Sequence, residues 1–383
     1  MDIPLPFPNR LARSDMINRT LIRLSLLVSA ALAVVFLSLL FEPRRRSLNC
    51  RTFWTCISLP ASYNSEIINT PITENNQEVH VTEVKLPDGT VRFTRQILGR
   101  NPTTLLLLLT RDAASWSRDF QSTRRSVYDF LDLVAKTGLP SQELALGILT
   151  ASADEFDVIK TATDGVPLGK VTVFHRNDEG DTFDYAERHR HDIQDKRRAT
   201  LAQLRNYLMS RALGDESHVV WMDADVVELS KRIVQTMISH AESRSDVGVI
   251  TARCEQNELD NYDKNAWAIQ SSSRLDETDG KEREDLEEQL TQLKTWVPDL
   301  IKGTTDTDLI ALDSVGGTLL YLRAELVRRG LVFPWWPVVG TRWDKDGWLG
   351  LETEGLCYIS SRMEDGGCFV LGGSHKSRHT DWG

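Results

Sequence analysis

Four apolar residues, Val219 to Met222, run straight into Asp223-Ala-Asp225, and this stretch limits what the rest of the chain can be. An unbroken apolar run reads as a strand buried on both faces, the kind that parallel sheets contain. Open α/β sheets bind ligands in the crevice beyond the carboxyl ends of their strands, and here that end delivers two carboxylates. The Asp-x-Asp pattern alone says little, because it recurs at Asp306/Asp308 and Asp344/Asp346. Only the first copy follows a buried-strand pattern. Hard divalent cations are held by one or two carboxylates plus substrate phosphate oxygens, which would make Asp223 and Asp225 a metal–diphosphate site. The alternative is a strand-end turn in which an aspartate caps the helix predicted by Leu229, Ile233, Val234, Met237 and Ile238, although a cap needs only one.

The neighbouring segments repeat the alternation. Thr103 to Thr110 carries five consecutive leucines and suits another buried parallel strand, and further strands are predicted at Leu144–Thr150, Val171–Phe174 and Val247–Thr251. Helices are predicted over Trp116–Ala135, with Phe120, Val127, Leu131 and Val134 on one face, and over Thr200–Leu213. Such an order means an α/β fold with a Rossmann-like, mostly parallel, doubly wound sheet spanning residues 101–383. No G-x-G-x-x-G follows a strand, so the dinucleotide fingerprint is missing. Arg274 to Thr295 is dominated by charged residues and glutamine. It is expected to be a solvated helix or loop, with residues 276–292 dispensable for folding.

Leu24 to Phe41 is an uncharged run of eighteen residues, about 27 Å as a helix and just enough to cross a hydrocarbon core. No small-residue cleavage site follows it, so residues 24–41 read as an uncleaved transmembrane signal anchor, 1–23 as a cytosolic tail and 42–100 as a stem with a hairpin around Pro87-Asp-Gly89. Arg10, Arg13, Arg19 and Arg23 balance Arg44, Arg45, Arg46 and Arg51, so loop charge leaves the orientation open. A net charge of −10 argues against nucleic acid as a partner. It also means that an anionic nucleotide would need a local cation. The five cysteines lack zinc-type spacing; Cys50/Cys56 and Cys357/Cys368 could each close a small loop, and Cys254 suits a buried thiol.

Beyond Asp223-Ala-Asp225 come Arg253-Cys-Glu255, Asn261 to Trp267 (NYDKNAW), Asp313 to Thr318 (DSVGGT) and Glu352-Thr-Glu-Gly355. In this order and spacing the segments resemble the fungal mannan polymerase subunits of the Anp/Van family, from about Leu105 to His379. The resemblance implies a GT-A glycosyltransferase fold and a single-pass type II protein of the Golgi membrane with a lumenal catalytic domain. It implies transfer of mannose from a GDP-mannose donor to a growing α-1,6-mannan chain on a glycoprotein acceptor, retaining and dependent on Mn²⁺ or Mg²⁺. It further implies hetero-oligomers with related family subunits, and leaves a non-catalytic scaffold subunit as the alternative. The acidic run Asp276–Glu288 and the tail Gly372–Arg378 depart from the family pattern.

Within that reading each strand end has candidates. Thr110, Arg111 and Asp112, and then Ser152 and Asp154, would face the nucleotide, unless they form ordinary strand-end turns. Arg205, on the helix before the aspartate strand, could reach the diphosphate or pair with an aspartate. Asp260, Asp263 and Asn265 suit hydroxyl recognition of the sugar, and Gly316-Gly317 either lets the backbone approach the sugar or makes a tight turn. Glu352 and Glu354 would face one side in an extended segment, where one could orient the acceptor or stabilise charge at the sugar carbon; with Asp263 they are the catalytic candidates. Trp335, Trp336, Trp343 and Trp348 read as core or interface residues, with sugar stacking as the alternative. Asp223, Asp225 and a third ligand near the C-terminus would hold the metal. Family spacing counted from Gly366 points to His379, with His375 as the fallback.

Overall fold

The computed structural model describes residues 70–74, 77–117, 124–177, 191–257, 259–269, 283–343 and 346–380. The expected cytosolic tail and signal anchor, and Cys50 and Cys56, lie outside these residues. Among the described residues no helix is long and apolar enough to cross a membrane.

Among the described residues eleven strands form the main sheet: β1 (Thr70–Glu74), β2 (Gln77–Lys85), β3 (Val91–Ile97), β4 (Thr104–Thr110), β5 (Leu144–Thr150), β6 (Lys170–His175), β7 (His218–Met222), β9 (Val247–Thr251), β13 (Leu309–Ala311), β14 (Leu319–Arg323) and β15 (Gly367–Leu371), while β11 (Trp267–Ile269) and β12 (Lys294–Trp296) pair apart from it. Their spatial order is β1-β2-β3-β6-β5-β4-β7-β14-β9-β15-β13. The centre, β6-β5-β4-β7, is parallel, as is the β9–β15 pair. All other neighbours are antiparallel, so the expectation of a mostly parallel sheet holds for the centre only and the sheet as a whole is mixed. One reason lies in residues 70–97, read as stem, which instead supply three antiparallel strands on the β6 edge. The hairpin expected around Pro87-Asp-Gly89 is present and joins β2 to β3, closed by Leu86 N donating to Thr90 O at 2.7 Å, with Gly89 at φ +86°. The other reason is β14, which inserts antiparallel between β7 and β9.

Both faces of the centre are covered, because successive side chains of β4 point opposite ways. Leu106 and Leu108 join a core closed by α1 (Val127–Lys136), α2 (Ala153–Thr163) and α4 (Ile233–Ser243), while Leu105 and Leu107 face α3 (His191–Ala212) and α6 (Thr353–Ser360). Each such buried leucine contributes roughly 1.5–3 kcal/mol. The predicted helix over Trp116–Ala135 is interrupted. Ala113–Trp116 forms a 3₁₀ turn and α1 begins only at Val127, where Asp129 Oδ2 accepts from Ser126 N at 2.7 Å in a capping box.

The charged segment also behaves differently from expectation. Its described part forms α5 (Arg283–Leu293), whose Leu286 and Leu290 are buried against Trp267, Val338, Val339, Trp348 and Leu349. Two leucines at helical spacing suffice to pin an otherwise charged helix, so this part packs. Cys357 and Cys368 form a disulfide that ties α6 to β15, and Cys254 is a buried free thiol.

Candidate functional site

The chain turns sharply after β7. Asp223 N donates to Thr318 O at 3.0 Å and Val226 N to Asp223 O at 3.2 Å, after which β8 (Val226–Leu229) starts. A small second sheet, β10 (Arg253–Glu255), β16 (Lys376–His379) and β8, then carries the chain's last described strand back to this turn. His379 lies opposite Val226 in the ladder, and Thr380 N donates to Asp225 O at 3.0 Å. His379 Nε2 therefore sits 2.8 Å from Asp225 Oδ2. Its Nδ1 is 2.9 Å from Thr380 O, and the Tyr262 ring packs against the imidazole, centroids 4.4 Å apart and planes tilted by 38°. Burial disfavours the imidazolium, but the hydrogen bond and charge of Asp225 outweigh it and raise the pKa of His379. His375, the fallback ligand, is elsewhere, with Nε2 3.2 Å from Asp306 O.

Asp223, Asp225 and His379 line a cavity of about 770 Å³. Helix α3 crosses it and presents Arg198 and Arg205 two turns apart on one face. Arg205 Nη2 is 3.1 Å from Asp223 Oδ1, and Nε is 3.0 Å from Glu352 Oε1, close enough for an ion pair but not aligned as a hydrogen bond. The guanidinium lies over the rings of Trp221 and Phe333, and its buried Nη1 has no hydrogen-bond partner among the described residues. Burial pushes the Asp223 carboxyl up to about 7; Arg205 opposes this, while Asp225, Glu352 and Asp263 add to it. Since 39% of the Asp223 side chain faces the cavity, water tempers the effect.

An excess of carboxylates over cations at this turn is the environment a divalent ion relieves. The donor set also fits: two carboxylates, and an imidazole whose Nδ1 is held by a carbonyl so that Nε2 is the coordinating atom. The cage is not ready-made, for among the described residues no three His, Cys, Asp or Glu side chains are drawn together as ligands.

Glu352 and Glu354 also line the cavity, but not from an extended segment. Glu352 precedes α6 at φ +55°, a conformation that costs about 1–3 kcal/mol, and its N–H is fixed by Pro334 O at 2.7 Å. Glu354 lies in the first turn of α6, with Oε2 3.1 Å from both Arg198 terminal nitrogens and Oε1 3.7 Å from Lys294 Nζ. Asp263 Oδ2 accepts from Gly317 N at 2.7 Å and from Thr318 N at 3.2 Å. A Cβ on Gly316 would meet that oxygen at 2.3 Å, and one on Gly317 would crowd Arg205 and Thr353, so these glycines admit protein groups to the turn. Asn265 lines the cavity beside Asp263, whereas Asp260 is exposed and does not line it.

The proposed nucleotide-side residues are placed less directly. Thr110 is buried at the end of β4, and Asp112 caps the 3₁₀ turn through Ala114 N at 2.8 Å; the cavity wall there is made by Leu109, Ala114, Ser115 and Ser117. Arg111 does not line the cavity either. Ser152 Oγ caps α2 through Glu155 N at 3.2 Å, the turn chemistry weighed against ligand binding, and Asp154 is exposed in the first turn of α2; neither lines the cavity. Sequence reading missed Arg198, Lys294 and Tyr262. Arg198 had a usable signal, its spacing of two helical turns from Arg205.

A mixed α/β sheet with an acid-rich cavity at its strand ends defines the class. The chain belongs to the Anp1 family, whose model matches residues 89–337. It is 30% identical over 190 residues to the mannan polymerase complex subunit mnn9 of Schizosaccharomyces pombe, covering 47% of this chain and 52% of that protein. Against the mannan polymerase complex subunit MNN9 of Candida albicans it is 27% identical over 206 residues, 51% and 53% of the two chains. The chain thus spans about half the length of the curated relatives it matches. Among solved structures, GalNAc-T7 with UDP, GalNAc and Mn²⁺ aligns over 75% of this chain and 45% of that one at 11% identity and TM-score 0.42, a likeness too slight to assign a fold.

Proposed function

We propose that this chain is a metal-dependent GT-A glycosyltransferase that moves mannose from GDP-mannose to a growing α-1,6-mannan chain on glycoproteins, with retention of configuration. The observation that carries the reading is the meeting of His379 with Asp225 beside an under-neutralised Asp223 at the end of a buried strand. Asp223, Asp225 and His379 would hold Mn²⁺ or Mg²⁺, whose chemistry is to neutralise the departing diphosphate. Arg205 offers its free Nη1 to a phosphate oxygen. Asp263 and Asn265 meet the sugar hydroxyls, and the nucleoside lies against Leu109, Ala114 and Ser115. Glu354, paired with Arg198 and Lys294, orients the acceptor. The reading places the chain in the Golgi membrane as a type II protein with its large domain lumenal, working beside related subunits, as the relatives' names as complex subunits suggest.

Thermal stabilisation of the purified full chain by GDP-mannose, against UDP- and CDP-sugars and with and without Mn²⁺, tests the donor. A shift indifferent to base or to metal sinks the proposal. The scaffold alternative draws support from one observation: each aspartate already has an ion-pair partner within the chain. Donor binding with no mannose transfer by the purified chain would favour it.

A further inference from the structure

Trp335, Trp336 and Trp343 are exposed, and the first two sit between fixed anchors. Trp335 and Trp336 are 50% and 44% exposed, with ring centroids 5.0 Å apart and planes at 85°. On one side of them Phe333 is clamped to α3, its N–H donating to Asn206 Oδ1 at 2.8 Å and its carbonyl accepting from Asn206 Nδ2 at 2.7 Å. Pro334 O accepts from Glu352 N at 2.7 Å. On the other side Val338 and Val339 are buried in the core beneath α5. Two prolines and these anchors hold the rings out at little further entropic cost, the arrangement that makes an aromatic pair a binding element.

The location is specific. Pro337, adjacent to Trp336, lines the same cavity as Asp223 and Asp225, and Pro334 is bonded to the residue that pairs with Arg205. Size separates the possible occupants. Two half-exposed rings offer about 200 Å², well short of the roughly 800 Å² per partner that a stable protein interface buries. They match the apolar faces of one or two pyranose rings, whose hydroxyls would remain in water or meet the exposed Thr341 and Arg342 nearby.

We propose that Trp335 and Trp336 form an acceptor subsite at the cavity rim, on which sugar rings of an oligosaccharide stack while its end enters the cavity. This rests on the reading of the cavity as a glycosyl-transfer site. The test is calorimetric titration of the purified full chain with an α-linked manno-oligosaccharide, alongside the GDP-mannose and Mn²⁺ thermal shift. Parent, Trp335→Ala/Trp336→Ala and Trp335→Phe/Trp336→Phe chains are compared. The double alanine variant should bind the oligosaccharide roughly tenfold more weakly or worse, and the phenylalanine variant should recover most of the loss. Melting temperature and the donor shift should be unchanged in both. Equal oligosaccharide affinity in parent and alanine variant overturns the proposal, as does a change in oligomeric state with glycan binding intact, which would assign the rings to a protein partner. Absence of oligosaccharide binding by the parent also overturns it; the donor shift then tells whether the transfer reading survives.

Discussion

Two Asp-x-Asp turns in this chain meet opposite fates, and each has its own histidine. At Asp223/Asp225 the carboxylates stand among other acids at a cavity, one held up to about 7 by burial, and His379 pairs with Asp225. At Asp306/Asp308 they are exposed and spent on local hydrogen bonds: Asp306 accepts from Ser374 N at 2.6 Å and Asp308 from Thr305 N at 2.6 Å. Backbone and hydroxyl donors hold both of these carboxyls below the usual range, and His375 Nε2 lies 3.2 Å from the carbonyl of Asp306. Asp306 and Asp308 face the donors of Ser374 and Thr305 and do not line that cavity. Asp223 and Asp225 face further acids across a cavity.

The largest effect expected from this contrast is on metal-dependent nucleotide binding. Asp225→Ala should weaken Mn²⁺-GDP binding about 100-fold or more in titration calorimetry, while Asp308→Ala leaves it unchanged; equal damage from both would erase the distinction. His379→Ala should weaken Mn²⁺ and GDP binding together, roughly 10- to 100-fold, with His375→Ala doing little. Circular dichroism checks that both variants fold. A His379→Ala chain that binds like the parent would leave the aspartates as the site and remove the histidine from it.

Proton linkage offers a smaller and sharper contrast. Metal binding requires Asp223 ionised and His379 neutral, and the pKa values of both are raised, so Mn²⁺ affinity should climb by about tenfold between pH 6 and 8. A flat profile would contradict the placement of these groups. In the metal-free chain the sign reverses. Asp223 titrates near 3.8 unfolded and about 7 folded, so the stability from its raised pKa is full below 3.8 and is lost as pH rises through 7. Asp223→Asn should therefore raise the melting temperature at pH 8 by roughly 2–4 °C, after discounting for solvent screening, and the gain should fade on acidification. Asp306→Asn should do the opposite and least of all. Its lowered pKa contributes stability above the unfolded value that is lost as pH falls through the folded one, so a slight loss at pH 8 should vanish in acid.

The parts of the fold legible in the sequence were those with a strong local pattern. The leucines of β4 and the apolar run of β7 announce strands buried on both faces, and alternation with helices supplied the doubly wound centre. The antiparallel strands over residues 70–97 escaped, because they mix polar and apolar residues much as a stem does, and β3 is half-buried. Helix α5 escaped because two buried leucines are outvoted by their charged neighbours in any compositional reading. At the strand ends, Asp112 and Ser152 were open to ligand and cap readings alike, and only their backbone partners distinguished the two.

By itself the sequence determined that two carboxylates leave the end of a buried strand, since burial on both faces and side-chain alternation are properties of a few consecutive residues. Which of the repeated Asp-x-Asp turns would face a cavity short of cations, and which histidine would reach it, depended on partners far along the chain. His379 arrives through the pairing of β16 with β8, and Glu352 and Glu354 through arginines two turns apart on α3. Electrostatic character at a site is a sum over such neighbours. Long-range strand pairing and helix packing decide who they are, and no local pattern encodes them.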